Sequence, residues 1–244
     1  MDASLNAFAV DGGLSTTELG ELGENGFVVV PGPVSPGGLK QLVRAYDSAV
    51  AAADSEDMSL GRTTTRVHDF VNRGPEFDEL YVHKPALDAC CHVLGRPFKL
   101  STMLARTLRP HAPAQDLHVD FEHAADGWPM LGFIFMVDDF RADNGATRFV
   151  PGSHEWIHGP DDLAAHEDGS RTSPVLACGP AGSMILYNGS VRHGHSANVS
   201  DAPRRSIQGA YIRREAPSGV DFAARMRSDT LARIGPLAKC LLAV

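Results

Sequence analysis

The chain has 244 residues, 43% of them apolar, and a formal net charge of −8. That apolar share supports a substantial core and excludes a disordered chain, while the acidic balance excludes a general nucleic-acid binder, which needs a basic footprint. The longest apolar run, over 131–137, is strand-sized against the roughly 20 residues of a membrane span, so no membrane partner is expected.

Met1-Asp2-Ala3-Ser4 opens no positively charged stretch leading into an apolar one, and no secretory signal is read there. Residues 16–23 predict a short helix ended by Asn25-Gly26, and Phe27-Val28-Val29-Val30 a strand cut by Pro31-Gly32-Pro33. Ser35-Pro36 then gives an N-cap with proline in the first helical position. Behind it Leu39, Leu42, Val43, Tyr46 and Val50 recur at helical spacing to about Ala53. The polar stretch 54–74, with Arg62, Arg66 and Arg73, reads as a long loop, a length that is uncommon unless the loop has a function. A helix over 85–94 is stopped by Gly95.

From Phe98 the texture changes to short apolar or alternating runs at 98–104, 117–121, 131–137, 147–150, 184–187 and 205–212, separated by glycine and proline. Helices followed by many short strands predict a mainly β protein of α+β type, an antiparallel double-sheet barrel with helices packed outside. Residues 220–237 form a helical tail with Phe222, Met226 and Leu231 as its apolar positions. Without repeats or linkers, the expectation is one domain over 1–244: a helical part to about 97, a β core over 98–214 and a tail over 215–244. Cys90, Cys91, Cys178 and Cys240 form no C-x-x-C pair and read as free thiols of a reducing cytoplasm.

The residues that carry chemistry begin at Gln115-Asp116-Leu117-His118-Val119-Asp120. Period-two alternation on a strand turns His118 and Asp120 to one face. There an imidazole and a carboxylate can bind one metal ion, with a second histidine required from elsewhere. Two histidines and a carboxylate leave one side of the ion open, which suits iron(II) that must also take a cosubstrate and dioxygen. The distal part is Arg192-His193-Gly194-His195-Ser196-Ala197-Asn198, with Arg204 eleven residues past His193. A guanidinium there is suited to the carboxylate of a dicarboxylic cosubstrate. Between the two parts lie Asp143-Asn144-Gly145-Ala146-Thr147 and Pro151-Gly152-Ser153-His154.

Taken in order, these segments make the chain similar to the phytanoyl-CoA dioxygenase family of 2-oxoglutarate oxygenases. The likeness rests on His118/Asp120, Asn144-Gly145, Pro151-Gly152-Ser153-His154, and His193 with Asn198 and Arg204. It is extended by Gly26-Phe27-Val28-Val29 and Leu94-Gly95-Arg96-Pro97-Phe98, and so covers about 19–212. The resemblance implies a double-stranded β-helix (jelly-roll) core, iron(II) on His118, Asp120 and His193, and Arg204 on the far carboxylate of 2-oxoglutarate, with Gln115 and Thr147 as further contacts to that cosubstrate. It implies hydroxylation of a small organic metabolite or natural-product intermediate, with release of succinate and carbon dioxide. Desaturation, epoxidation or cyclisation at the same iron is the alternative outcome, and a non-catalytic metal or ligand sensor the alternative class. Asp120 is present where halogenating relatives carry a small residue. His195 competes with His193, and Arg205 with Arg204; the family spacing favours His193 and Arg204. His154 reads as structural, Trp128 and Trp156 as packing or pocket residues, and the remaining histidines, from His68 to His166, as surface or capping groups. The oligomeric state is not legible.

Overall fold

The computed structural model describes residues 12–123, 126–156 and 173–244. The expectations at the N-terminal Met1-Asp2-Ala3-Ser4 and at His158 and His166 lie outside these.

Helix α1, Thr16–Asn25, starts at a reciprocal cap: the Ser15 hydroxyl accepts from Glu18 N–H at 3.2 Å, and Ser15 N–H donates to the Glu18 carboxylate at 2.7 Å. Such a cap contributes about 1 kcal/mol. Gly26, with φ of 81°, ends the helix and feeds β1, Phe27–Pro31. Ser35 caps α2, Pro36–Ala51, with proline at its start, and α3 is Lys84–Leu94, closed by left-handed Gly95.

The stretch 54–74 is not a loop. It folds into a hairpin of β2, Met58–Leu60, and β3, Thr64–Val67, followed by a 3-10 turn over Phe70–Asn72, with a second, Pro75–Leu80, just beyond the stretch. The β-branched Thr64, Thr65 and Val67 suit a pleated surface, and β3 finds a long partner in β4, Phe98–Leu108. Pairing to that partner outweighs the local polarity. The hairpin carries Arg62 and Arg66 to a fixed place, and Arg73 into an ion pair with Asp57 at 2.7 Å.

The remaining strands are β5 (Met130–Met136), β6 (Thr147–Phe149), β7 (Val175–Ala177), β8 (Ser183–Asn188), β9 (His193–His195) and β10 (Arg204–Arg213). They form a seven-stranded antiparallel sheet in the order β1-β8-β5-β10-β4-β3-β2 and a three-stranded sheet in the order β7-β6-β9. Every residue of β5 is buried, and the alternation explains why. Leu131, Phe133 and Phe135 turn outward against Leu22, Leu42 and Tyr46 of the helices, whereas Met130, Ile134 and Met136 turn inward to Phe149 and Ala177 of the small sheet. Two cores on either side of one sheet give the jelly roll with its outer helical layer. The tail is three short helices rather than one: α4 (Phe222–Arg225), α5 (Ser228–Arg233) and α6 (Pro236–Leu242), broken at Gly235-Pro236. Phe222 is buried as expected, but Leu231 is 40% exposed and Ile234 and Leu241 fill the inner positions instead.

Candidate active site

The segment carrying His118 and Asp120 is not the regular strand expected over 117–121. It makes one antiparallel bridge, His118 to His193. His118 N–H donates to His193 O at 3.0 Å, and His193 N–H donates to His118 O at 2.9 Å. Its partner β9 is three residues long, so the pairing stops there. Asp120 and Phe121 N–H both donate to Gly189 O, at 2.9 and 3.1 Å. A turn, not the strand pleat, thus brings the Asp120 carboxylate beside His118. Gly194 permits the approach, because a Cβ there would lie 3.0 Å from Asp116 O and 3.2 Å from Gln115 O.

The three side chains converge. His118 Nε2 lies 3.8 Å from Asp120 Oδ1, and His193 Nε2 lies 3.7 Å from Asp120 Oδ2. All three donor atoms fall within 4.8 Å of one another. Each imidazole spends its other nitrogen on the backbone: His118 Nδ1 donates to Asp116 O at 3.2 Å, and His193 Nδ1 to Val191 O at 3.0 Å. This fixes the tautomer with both Nε2 lone pairs facing the carboxylate. Burial lowers the pKa of His193 against the opposing pull of Asp120 and favours the neutral, ligating form. Two imidazole nitrogens and a carboxylate on one side fit a divalent first-row ion with open positions. The Tyr187 hydroxyl donates to Asp120 Oδ2 at 2.8 Å. Burial first, then the Asp120 charge, pushes the Tyr187 phenol well above its usual value, so it stays a donor.

Arg204 opens β10 and is 2% exposed, yet its Nε and Nη1 have no partner among the described residues. The Phe140 ring lies 4.1 Å from its guanidinium carbon. Burial, then the Arg106 charge, presses its pKa down to about 9, which leaves it cationic at neutral pH. A buried, unpaired guanidinium is costly and implies an anionic partner. Arg205 faces the opposite way, onto Asp138 at 2.6 Å and Asp47 at 2.8 Å. Asn198 braces the loop into β10: its amide donates to Arg109 O at 3.0 Å and Ala202 O at 2.9 Å.

Gln115, His118, Asp120, Thr147, His193 and Arg204 line one cavity. Gln115 Oε1 accepts from Arg106 Nη2 at 3.0 Å, and Thr147 on β6 is buried. His195 borders the same cavity but is committed elsewhere. Its Nδ1 donates to Ser196 O at 2.9 Å, and its Nε2 accepts from the Thr63 hydroxyl at 3.1 Å. Buried His154 donates to Gly23 O at 3.1 Å, and Trp128 stacks on His123 at 3.9 Å. Neither Trp128 nor Trp156 is among the described residues that line the cavity. Tyr187 and Arg106 were not singled out from the sequence. A tyrosine ending an apolar run looks like core, and Arg106 lies two residues past the expected end of its strand.

The family described as phytanoyl-CoA dioxygenase matches residues 22–206. The chain is 30% identical over 216 residues to the multifunctional dioxygenase prhA of Penicillium brasilianum, covering 79% of this chain and 70% of that one. It is 26% identical over 207 residues to the dioxygenase sphC of Aspergillus fumigatus, covering 76% of this chain and about half, 55%, of that one. Among solved structures, the α-ketoglutarate-dependent carbocyclase SnoK from nogalamycin biosynthesis superposes with a TM-score of 0.69 at 18% identity, over 91% of this chain and 92% of that one. HygX from Streptomyces hygroscopicus, solved with nickel and 2-oxoglutarate, gives 0.67 at 16%, over 84% and 89%. At these identities the solved structures establish the jelly-roll fold.

Proposed function

The chain belongs to the phytanoyl-CoA dioxygenase family of iron(II)- and 2-oxoglutarate-dependent oxygenases, and from that premise we propose that His118, Asp120 and His193 hold the iron and Arg204 seats 2-oxoglutarate. The observation that carries the residue assignment is the buried, unpaired Arg204 lining the same cavity as a convergent His-Asp-His set. Bound iron(II) supplies dioxygen activation coupled to decarboxylation of 2-oxoglutarate, which yields succinate, carbon dioxide and an oxidised substrate.

The protein's own groups prepare this chemistry. The Asp116 and Val191 carbonyls hold the two imidazoles neutral and aimed, and the Tyr187 hydroxyl holds Asp120. Arg204, stacked over Phe140 in a dry recess, neutralises the distal carboxylate of the cosubstrate without a competing protein anion. Gln115 and Thr147 border the cavity where that cosubstrate would contact them. The substrate in this reading is a small organic metabolite or natural-product intermediate, a choice supported by relatives such as the nogalamycin carbocyclase. Hydroxylation is the expected outcome; a product that gains one oxygen separates it from desaturation or cyclisation, which remove hydrogen. Four unpaired cysteines support a reducing, cytoplasmic setting, and among the described residues no helix is long and apolar enough to cross a membrane.

Anaerobic titration with iron(II) and 2-oxoglutarate tests the site. A visible metal-to-ligand charge-transfer band is expected with the wild-type protein and not with His193→Ala. Arg204→Ala should weaken 2-oxoglutarate at least tenfold while iron affinity holds within about twofold. A folded wild-type protein without the band would overturn the assignment and favour a metal or ligand sensor on the same scaffold.

A further inference from the structure

Next to the triad runs an open cleft of about 350 Å³ bordered by Arg62, Arg66, Arg106, Asp116 and His118. It shares Arg106, Gln115 and His118 with the cavity around the triad, so the two adjoin at these residues. Its volume suits a small molecule.

Among the described residues no carboxylate pairs with the arginines of this cleft. Arg66 on β3 lies directly opposite Arg106 on β4. Like charges in that position weaken a sheet, and among the described residues no carboxylate forms an ion pair with either, although Asp120 acts on Arg106 from a distance. Among the described residues the Arg62 and Arg66 guanidinium groups make no hydrogen bond or ion pair. Arg106 bonds to the neutral Gln115 at 3.0 Å and Gln208 at 3.4 Å, while its buried Nε has no partner. Burial and then Arg66 press the Arg106 pKa down to about 10, which leaves it charged at neutral pH. The Asp116 carboxylate borders the cleft, but it is exposed and makes no ion pair with these arginines. Several arginines elsewhere pair with carboxylates, Arg73 with Asp57, Arg205 with Asp138, Arg213 with Asp126 and Arg233 with Asp78, while Arg109, Arg148 and Arg214 bond backbone carbonyls instead. In a chain with 30 acidic and 22 basic residues, three arginines that meet beside the triad without a carboxylate partner point to a ligand that supplies negative charge. Arg204 at the inner end accounts for the distal carboxylate of the cosubstrate, and probe binding with and without 2-oxoglutarate separates a further ligand from its second carboxylate.

We propose that Arg62 and Arg66, backed by Arg106, form an anion-binding subsite, and that the substrate is a small molecule bearing a carboxylate or phosphate. The word substrate rests on the function proposed above; the subsite rests on the arginines alone.

The test compares benzoate, phenyl phosphate and benzamide as probes of near-equal shape. Binding is followed by calorimetry or ligand-observed NMR to the zinc-loaded protein, with and without 2-oxoglutarate and at low and high salt. The wild-type protein should bind one or both anions at least tenfold more tightly than benzamide. Arg66→Gln should bring them to parity while 2-oxoglutarate affinity stays within about twofold, and added salt should erode the preference. Arg62→Gln serves as a second variant, with a smaller loss expected from its more exposed position. Preference for benzoate or for phenyl phosphate identifies the oxyanion. Equal binding of benzamide by the wild type overturns the proposal. So does an Arg66→Gln variant that loses 2-oxoglutarate instead of the probes, because the arginine would then serve the cosubstrate. If the wild type fails to bind 2-oxoglutarate at all, the proposed function falls, and the probe comparison without it still decides the subsite.

Discussion

At the scale of single residues, the site depends on groups that aim other groups. Tyr187 illustrates this: its hydroxyl reaches Asp120 Oδ2 at 2.8 Å, and its ring lies 4.9 Å from that of His193. Tyr187→Phe should therefore weaken zinc or cobalt binding about tenfold, the range seen when an outer partner of a ligand is removed. The ring's packing is retained, so the melting temperature should move little. Metal affinity within twofold of wild type would show that the turn at Gly189 alone holds Asp120. His195 gives a pH prediction. Burial, then the Arg106, Arg204 and Arg148 charges, hold its pKa at about 4, against an ordinary value of 6.5. The unfolded chain binds this proton first, so the neutral form stabilises the fold above pH 6.5, and that contribution drains away as pH falls from 6.5 towards 4. Thermal melts should show stability declining over that window, with a shallower slope in His195→Gln. An unchanged slope would place the acid sensitivity in other buried histidines. The convergence of His118, Asp120 and His193 and the placing of Arg204 on the same cavity could be anticipated because few residue types suit the chemistry proposed for them. Tyr187 was not, because an aromatic at the end of an apolar run carries no sign of what its hydroxyl meets.

At the scale of elements, legibility followed local strength of signal. α1 and α2 were readable from Gly26, Ser35 and Pro36, whose capping chemistry is local to the sequence, whereas the Ser15 cap emerged only in the structure. The β2–β3 hairpin was not, because the partner of β3 lies more than thirty residues away in β4, as in the pairing of Thr64 with Leu108. The segment around His118 failed as a strand for the converse reason. Its alternation was right, but its partner β9 is short and the chain turns at Gly189. The close approach of this segment to β9 is the contact most exposed to mutation. At Gly194 a methyl group would meet two backbone oxygens, Asp116 O at 3.0 Å and Gln115 O at 3.2 Å, and neither can rotate away. Gly194→Ala should displace the 115–118 segment and weaken metal binding about tenfold or more, in line with the loss expected when a ligand's support is disturbed. The melting temperature should change much less, since both cores lie elsewhere. Full metal affinity in this variant would mean that the segment adapts without moving His118.

At the scale of the whole molecule, the jelly roll places its chemistry inside and its bracing outside. The inner faces of β5, β8 and β10 meet the small sheet around the site, while the outer faces carry α1 to α3 and the tail. We propose that the tail belongs to the same cooperative unit as the barrel, in keeping with the expectation of one domain over 1–244. The support is a set of contacts between distant residues. Asp57 holds both Arg73 and Arg225, Asn72 donates to Arg225 O at 3.1 Å, and Arg233 reaches Asp78 at 2.8 Å and Val71 O at 2.8 Å. Arg233 and Asp78 are each about four-fifths buried, with side-chain exposures of 21% and 22%, so water screens this pair less than a surface one. Removing the guanidinium also strips a donor from the Val71 carbonyl. Arg233→Ala should thus cost about 1–2 kcal/mol, a fall in melting temperature of roughly 2–8 °C for a chain of this size. Because Arg233 borders neither the cavity nor the arginine cleft, 2-oxoglutarate and metal affinities should remain at wild-type values. A single, lowered transition would show that tail and barrel unfold together. An unchanged main transition preceded by an early partial one would show that the tail unfolds independently, and the boundary near residue 215 would then separate two cooperative units.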